Sequence, residues 1–242
     1  MVALSSAVRF HARQNPGRVA VSFRGEAVTY GALWERSARL AGLLAARGIG
    51  KGAAVGVLMK NSAAFVEIAL AASHAGAVLL PINFRLAAAE VAYILEHAGA
   101  KLLFVDEELE ASCGGFAGRI AVDERAQSDS SLLADGAARL EHGARQSSED
   151  LFRLMYTSGT TDRPKGVMHT YNNYYWKCLD HIAALQLTGR ERLLVVGPLY
   201  HVGAFDLPGL AVLIAGGMLH VLRDFDEAAV LEAIERERLT GA

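Results

Sequence analysis

The chain has 242 residues, of which 52% are hydrophobic and 21% charged, so it is long enough to bury one or two substantial cores. Its formal net charge of -2 argues against the broad basic surface that nucleic-acid binding requires. Cys113 and Cys178 are too few for a disulfide scaffold and too far apart for a zinc knuckle, which favours a reducing, cytoplasmic location.

The sequence also lacks the patterns of secretion and membrane insertion. Its first residues, MVALSSAVRFHARQNPGR, do not have the basic-then-apolar layout of a secretory signal. The longest apolar run, residues 207–222, is interrupted by proline, glycine and histidine. It is also shorter than the ~20 apolar residues of a spanning helix. We therefore expect a soluble protein without a transmembrane segment.

Short apolar runs alternate with amphipathic segments along the chain. Residues 19–30 predict a small antiparallel hairpin that turns at Arg24 and Gly25. Continuous apolar runs follow, as is typical of parallel strands with helices on both faces. They are VGVLM (55–59), AVLLP (77–81), KLLFV (101–105) and LLVVG (193–197). The alternation predicts an α/β fold of mostly parallel sheets flanked by helices, with the first three runs parallel in one sheet.

Helical patterns separate these runs. Thr29 can cap a helix that runs to about Arg47, with Gly48 as its stop. The apolar stripe of this helix consists of Trp34, Ala38, Ala41 and Leu44. Two further helices are predicted at about 62–75 and 87–98. In the second of them, one face carries Val91, Ile94 and Leu95.

Residues 123–150 form the one long polar stretch, which predicts a mobile surface connection with one short helix. We interpret residues 1–150 as a first α/β subdomain, and residues 151–242 as a phosphate-binding loop and the start of a second subdomain. After the polar stretch, the pattern predicts a strand at 151–157, a polar loop, a strand at 166–169 and a helix. This helix would be capped by Thr170 and run to about Leu187.

A last helix is predicted at about 226–239. Asp226 can cap it, and Val230, Leu231 and Ile234 are expected to face inward. The alternation predicts a further strand where the chain stops at Ala242, so the sequence resembles a fold cut before its end.

The stretch YTSGTTDRPKGV, residues 156–167, carries the strongest chemical signal. Backbone N–H groups of a loop rich in glycine and hydroxyl residues can converge on phosphate oxygens, and a lysine adds a point charge. The common phosphate loop G-x-x-x-x-G-K-[ST] does not fit, because Pro164 stands at the second glycine and Gly166 follows Lys165. A plain surface turn would explain the composition but not the lysine.

The same stretch resembles the signature [YF]-T-S-G-[ST]-T-G-x-P-K-G of the adenylate-forming superfamily, which includes acyl- and aryl-CoA synthetases. Only Asp162, at a usual glycine, departs from the pattern; Asp tolerates left-handed backbone better than most residues, and Arg163 can offset its charge. The resemblance extends from about residue 8 to the end. It includes PINFRLAAAEVAYIL, which resembles the family's P-x-N-x-R-L segment, and PLYHVGAF (198–205), which resembles the next family motif.

The resemblance implies the N-terminal part of the adenylate-forming enzyme fold and a ligase that uses ATP, Mg²⁺ and coenzyme A. In such enzymes a carboxylate attacks the α-phosphate of ATP, and a thiol then displaces AMP. It also implies residue roles. The β- and γ-phosphates would be bound by Thr157, Ser158, Gly159, Thr160, Thr161 and Lys165. His201 would be the catalytic residue between carboxylate and α-phosphate, although a helix-start histidine satisfied by the backbone is the plainer alternative.

The resemblance also bears on the substrate. Amino-acid-activating relatives place an aspartate directly after the second motif's aromatic or histidine, whereas Val202 follows His201 here. Asp206 comes four residues late for that role. Together with His201, Val202 and Phe205 would therefore line a pocket for an uncharged acyl or aryl acid, with coenzyme A as the thiol. No metal ligand is expected in this chain, and a second copy of the chain in a homodimer is an open option.

The family's adenine-binding segment, magnesium-binding glutamate, ribose-binding aspartate and C-terminal lid lysine would all follow Ala242. We therefore expect residues 1–242 alone to be inactive. Two alternatives stay open. The first is an acyl-adenylate ligase or an adenylation domain that serves a carrier protein. The second is a non-catalytic remnant that acts as an interaction module.

Overall fold

The computed structural model describes residues 3–123, 138–157 and 163–241. Seven helices are formed by α1 (Leu4–Gln14), α2 (Tyr30–Ala46), α3 (Ala63–Ala75), α4 (Ala88–His97), α5 (Tyr171–Ala184), α6 (Leu210–Ala215) and α7 (Glu227–Glu237) in these ranges. The strands in the same ranges are β1 (Val19–Phe23), β2 (Glu26–Thr29), β3 (Ala54–Leu58), β4 (Val78–Pro81), β5 (Leu102–Asp106), β6 (Arg119–Val122), β7 (Leu151–Thr157), β8 (Lys165–Thr170), β9 (Arg192–Val195) and β10 (Met218–Val221). A 3₁₀ turn at Glu107–Ser112 and an irregular helical turn at Val202–Gly209 complete the described elements.

The larger sheet has six strands in the order β6-β5-β3-β4-β7-β8. All neighbours run parallel except the last pair, β7 and β8, which form an antiparallel hairpin. The predicted strands at 55–59, 77–81 and 101–105 are the adjacent strands β3, β4 and β5, so the prediction that they lie parallel in one sheet is confirmed.

The smaller sheet has four strands in the order β2-β1-β10-β9. The predicted hairpin forms β1 and β2, and both of its turn residues, Arg24 and Gly25, have positive φ. Glycine suits this turn because a residue without a Cβ atom adopts positive φ without a steric clash. The run at 193–197 lies in this sheet as β9. Gly241 forms a parallel bridge with Leu193, at the place where a further strand was predicted.

Alternating residues of the larger sheet face two hydrophobic clusters. Val55, Val57 and Leu79 belong to a core that also contains residues of the smaller sheet. The opposite face packs on the apolar side of α4, whose buried residues are Val91, Ile94 and Leu95 as predicted. Between the sheets lies α3, which contacts β4 of one and β1 of the other and is buried on nearly all sides. Helices therefore cover both faces of the larger sheet.

Local capping accounts for several predicted helix starts. The side chains of Thr29, Thr170 and Asp226 each accept a hydrogen bond from a backbone N–H in the first turn of α2, α5 and α7. The predicted inward face of α7 is wrong in part, because Leu231 is 69% exposed and Ile234 is 40% exposed. Among the described residues of α7 the buried one is instead Ala233.

Part of the polar connection predicted at 123–150 falls on residues 124–137, which lie outside the described residues, so the short helix predicted within it stays a prediction. Residues 138–150 have no regular secondary structure, and they follow the surface of α2 and α3 through the bonds Leu140 N–H to Ala38 O and Ala144 N–H to His74 O. The proposed division at residue 150 stays a prediction. Each sheet combines strands from both sides of that residue.

Candidate active site

The antiparallel hairpin of β7 and β8 carries the predicted phosphate loop. Thr157 ends β7 and is opposite Lys165, the first residue of β8, and both side chains are exposed. Gly166 packs closely on the neighbouring strand, since a Cβ atom there would lie 3.2 Å from the ring of Tyr156. The predicted phosphate ligands Ser158, Gly159, Thr160 and Thr161, and the divergent Asp162, lie outside the described residues.

A cleft of about 300 Å³ opens beside this hairpin. It is lined by Pro81, Asn83, Leu86, Glu90, Ile94, Met155, Tyr156, Thr157, Pro164, Tyr200 and His201. The cleft thus brings both described ends of the phosphate loop, Thr157 and Pro164, together with His201. The PINFRL segment also contributes to it through Asn83 and Leu86, which were not singled out individually from the sequence.

His201 precedes the irregular turn Val202–Gly209, and its side chain is exposed. Its Nδ1 accepts a hydrogen bond from the Gly203 N–H at 3.3 Å, which places the proton of a neutral imidazole on Nε2. Its own backbone N–H donates to the Pro198 carbonyl oxygen at 2.9 Å. His201 is therefore satisfied by the backbone at the start of a helical turn, as the structural alternative to a catalytic role predicted. The same geometry leaves Nε2 available to a ligand in the cleft.

Neither Val202 nor Phe205 lines this cleft. Val202 is half-buried, whereas Phe205 is 0% exposed and packs edge-on against Phe65 with ring centroids 5.5 Å apart. The pocket role predicted for Phe205 is therefore corrected to a core role. The motif indicates that an aromatic residue stands near the site, but the irregular turn directs this side chain inward, between the two sheets.

A buried ion pair lies behind His201. Arg153, in β7, is fully buried; its guanidinium pairs with Asp206 and donates through Nη2 to the Tyr200 carbonyl oxygen at 2.8 Å. The Tyr174 hydroxyl hydrogen-bonds to Asp206 and lies 3.5 Å from Nη1 of the arginine. Burial raises the pKa of Tyr174 well above its ordinary value and lowers the pKa of His169, which favours the neutral form of both side chains.

Asn61 holds the segment before His201 from the other side. Its Oδ1 accepts the Leu199 N–H at 2.7 Å, and its Nδ2 donates to the carbonyl oxygens of Gly197 at 2.8 Å and Leu222 at 3.1 Å. This buried amide replaces missing ladder bonds at the ends of β9 and β10. Sequence reasoning missed both Asn61 and Arg153. A charged residue within the apolar strand LFRLMYT was the available signal for the arginine.

A family model described as AMP-binding enzyme matches residues 8–242, which is nearly the whole chain. The chain belongs to the AMP-binding enzyme family. This membership confirms the resemblance to adenylate-forming enzymes that the motifs indicated. Feruloyl-CoA synthase of an Amycolatopsis species is 38% identical over 240 residues, which cover 95% of this chain and 46% of the relative. The chain thus spans about half the length of the curated relatives it matches.

Solved structures of AMP-binding family relatives share the fold. The o-succinylbenzoate CoA synthetase of Bacillus subtilis, in complex with AMP, matches with a TM-score of 0.85 at 28% identity, covering 97% of this chain and 60% of that one. A fatty acyl CoA synthetase of Mycobacterium tuberculosis matches with a TM-score of 0.85 at 29% identity, covering 99% of this chain and 48% of that one. The predicted fold class is therefore confirmed as the N-terminal part of the adenylate-forming fold.

Proposed function

We propose that this chain is the N-terminal portion of an ATP-dependent acid–CoA ligase that activates an apolar carboxylic acid as its acyl-adenylate. The single observation that carries the proposal is the cleft in which Thr157 and Pro164, at the two ends of the phosphate loop, meet His201. Family membership and the likeness to acid–CoA ligases support the same reaction class.

The chemistry follows from the charges that must be handled. A substrate carboxylate oxygen would form a bond to the α-phosphorus of ATP, while the bond from that phosphorus to the bridging oxygen breaks and pyrophosphate leaves. Lys165 and the hydroxyl of Thr157 flank the loop and would neutralise and orient the departing phosphates. His201 would donate its Nε2–H where carboxylate and α-phosphate meet. Catalysis would come mainly from positioning and charge neutralisation.

An uncharged acid is favoured by the surroundings of the cleft. Asp206, the acidic residue of the second motif, is buried against Arg153 and so is not available to a ligand. Glu90, the acidic residue that lines the cleft, already accepts the Ala87 N–H at 2.9 Å in the first turn of α4. Leu86, Ile94 and Met155 give the cleft an apolar side. Feruloyl-CoA synthase and indoleacetate–CoA ligase, both similar to this chain, are named for aryl acids, which supports an acyl or aryl substrate here.

The remaining groups of the reaction are proposed by family analogy. Coenzyme A is the proposed thiol, and Mg²⁺ is the proposed metal. Within the described ranges, no three His, Cys, Asp or Glu side chains converge into a group that could hold a metal ion, and no residue here is assigned to Mg²⁺. Homodimer formation and inactivity of the isolated 242-residue chain stay predictions. No helix in the described ranges is long and apolar enough to cross a membrane.

Substitution of Lys165 tests the proposal. Lys165→Ala should weaken ATP binding about 10- to 100-fold, because a hydrogen bond to a charged group contributes roughly 1.5–3 kcal/mol. The free energy of unfolding should change by less than about 0.5 kcal/mol, since this side chain is exposed. ATP affinity is measured by calorimetry and adenylate formation by pyrophosphate exchange, both in the complete ligase. Lys101→Ala, at another exposed lysine, is the matched control. Unaltered ATP use in Lys165→Ala would refute the phosphate-binding role.

A further inference from the structure

The position of Arg153 is unusual for an arginine. It lies inside a strand, its backbone is held between β4 and β8, and its side chain is 0% exposed. Its guanidinium is directed at the segment that carries His201. Nη1 pairs with the Asp206 carboxylate, and Nη2 donates to the Tyr200 carbonyl oxygen at 2.8 Å. Residues 200 and 206 lie before and after His201 in the sequence. The Arg153 side chain therefore contacts both ends of the segment 200–206.

The planar guanidinium fixes these two acceptors relative to each other, because its donors form a rigid fork. A lysine ammonium carries three donors on one rotatable nitrogen and cannot impose that geometry. On the other side, the Leu199 N–H is held by Asn61 at 2.7 Å. The main chain on both sides of His201 is thus fixed, whereas its imidazole remains exposed to the cleft.

The same arginine is tied to the phosphate loop through its own strand. β7 runs from Leu151 to Thr157 and leads directly into that loop. β4 pairs with β7 at Arg153, and β8 pairs with β7 from there as far as Thr157, so a paired strand links Arg153 directly to the loop. The distance between Thr157 and His201 therefore depends on the contact that Arg153 makes across the two segments.

Stability alone gives a weak reason for this pair. Replacing a buried ion pair by apolar residues of similar volume is often neutral or stabilising. Arg153 also leaves its Nε–H without an acceptor among the described residues, which is itself a cost. What an apolar pair could not supply is the directed bond to the Tyr200 carbonyl oxygen next to His201.

We propose that Arg153, held by Asp206, is a positioning residue that sets the placement of His201 relative to the entrance of the phosphate loop. The inference rests on the proposed acid–CoA ligase function. Arg153 acts through main-chain contacts on either side of His201 and is not expected to touch ATP or the acid.

The kinetic test uses Arg153→Lys in the complete ligase. The charge is kept but the fork is lost, so kcat for acid-dependent pyrophosphate exchange should fall by roughly 10²-fold, as expected for a small misplacement of reacting groups. The KM for ATP should stay within about twofold, because ground-state binding is not what the contact provides. The matched control is Arg36→Lys. Arg36 also pairs with a buried carboxylate, since its Nη1 lies 3.0 Å from Oε1 of Glu67, but this pair joins α2 to α3. It should leave kcat unchanged.

A second measurement does not depend on activity. In the chain described here, the side-chain nitrogen NMR shifts of His201, assigned with His201→Asn, report whether Nδ1 still accepts the Gly203 N–H. Arg153→Lys should move these shifts, whereas Arg36→Lys should not. If Arg153→Lys fails to fold, Asp206→Asn replaces it, since this variant keeps the shape and one acceptor but loses the charge.

The outcomes separate the two claims. Unchanged His201 shifts together with unchanged kcat would overturn the positioning role. Equal losses of kcat in Arg153→Lys and Arg36→Lys would also overturn it, because they would indicate general destabilisation. If the unsubstituted ligase shows no pyrophosphate exchange with any acid, the proposed function fails, and the His201 shifts alone then decide whether Arg153 positions that side chain.

Discussion

Truncation of Phe205 distinguishes a core role from a pocket role at the centre of the second family motif. The ring is 0% exposed, stands edge-on to Phe65 at 5.5 Å, and belongs to the core that joins the two sheets. Phe205→Ala should lower the free energy of unfolding by about 3–5 kcal/mol, the usual range for losing a buried phenyl ring. The edge-on aromatic contact accounts for about 0.5–1.5 kcal/mol of this loss.

The assay is urea unfolding followed by circular dichroism. The midpoint should fall with the slope of the transition unchanged, because the surface exposed on unfolding stays nearly the same. Phe225→Ala is the control: this phenylalanine is 62% exposed, and its loss should cost less than about 0.5 kcal/mol. A loss below about 1 kcal/mol in Phe205→Ala, or weaker binding of the substrate acid at unchanged stability, would refute the core assignment.

Two other predictions concern the loop and the pH dependence of stability. Asp162→Gly should keep or improve ATP affinity, because it removes a negative charge beside the proposed phosphates; weaker ATP binding by calorimetry would contradict this. His74 is buried and hydrogen-bonds to the Leu140 carbonyl oxygen at 2.9 Å, and burial lowers its pKa below 6.5. Its contribution to stability should be complete above pH 6.5 and be lost as the pH falls toward the folded-state pKa. The stability advantage over His74→Gln, from urea unfolding, should therefore shrink between about pH 7.5 and about pH 5.5, and a constant advantage would refute the assignment.

The parts of the fold that depend on neighbouring residues were predictable from the sequence. Thr29 and Thr170 mark helix starts because a cap bonds within its own first turn, and the hairpin turn at Arg24 and Gly25 is equally local. Partners far apart in sequence were not predictable in the same way. The run at 193–197 reads like the one at 55–59, yet the two lie in different sheets, since an apolar run does not specify which strand it pairs with.

The candidate site shows the same division. The motifs singled out the phosphate hairpin and His201, which line one cleft, but they did not indicate which way Phe205 faces. The apolar stripe of α7 predicted a buried Leu231 because helical spacing shows that residues share a face, not what covers that face. A buried arginine in LFRLMYT implies an anionic partner, but nothing local identifies Asp206 among the acidic residues.

The pairing of β1 with β10 has a consequence for biosynthesis. Val21 is opposite Leu219, so about 200 residues must leave the ribosome after the first hairpin before its neighbouring strand exists. At roughly 5–20 residues per second, the interval is about 10–40 s, and closing so long a loop adds an entropic cost that slows the step further. During that interval one edge of β1 is unpaired and can pair with another nascent chain. Chaperone binding to the N-terminal hairpin should therefore matter more for the yield of this protein than for its final stability.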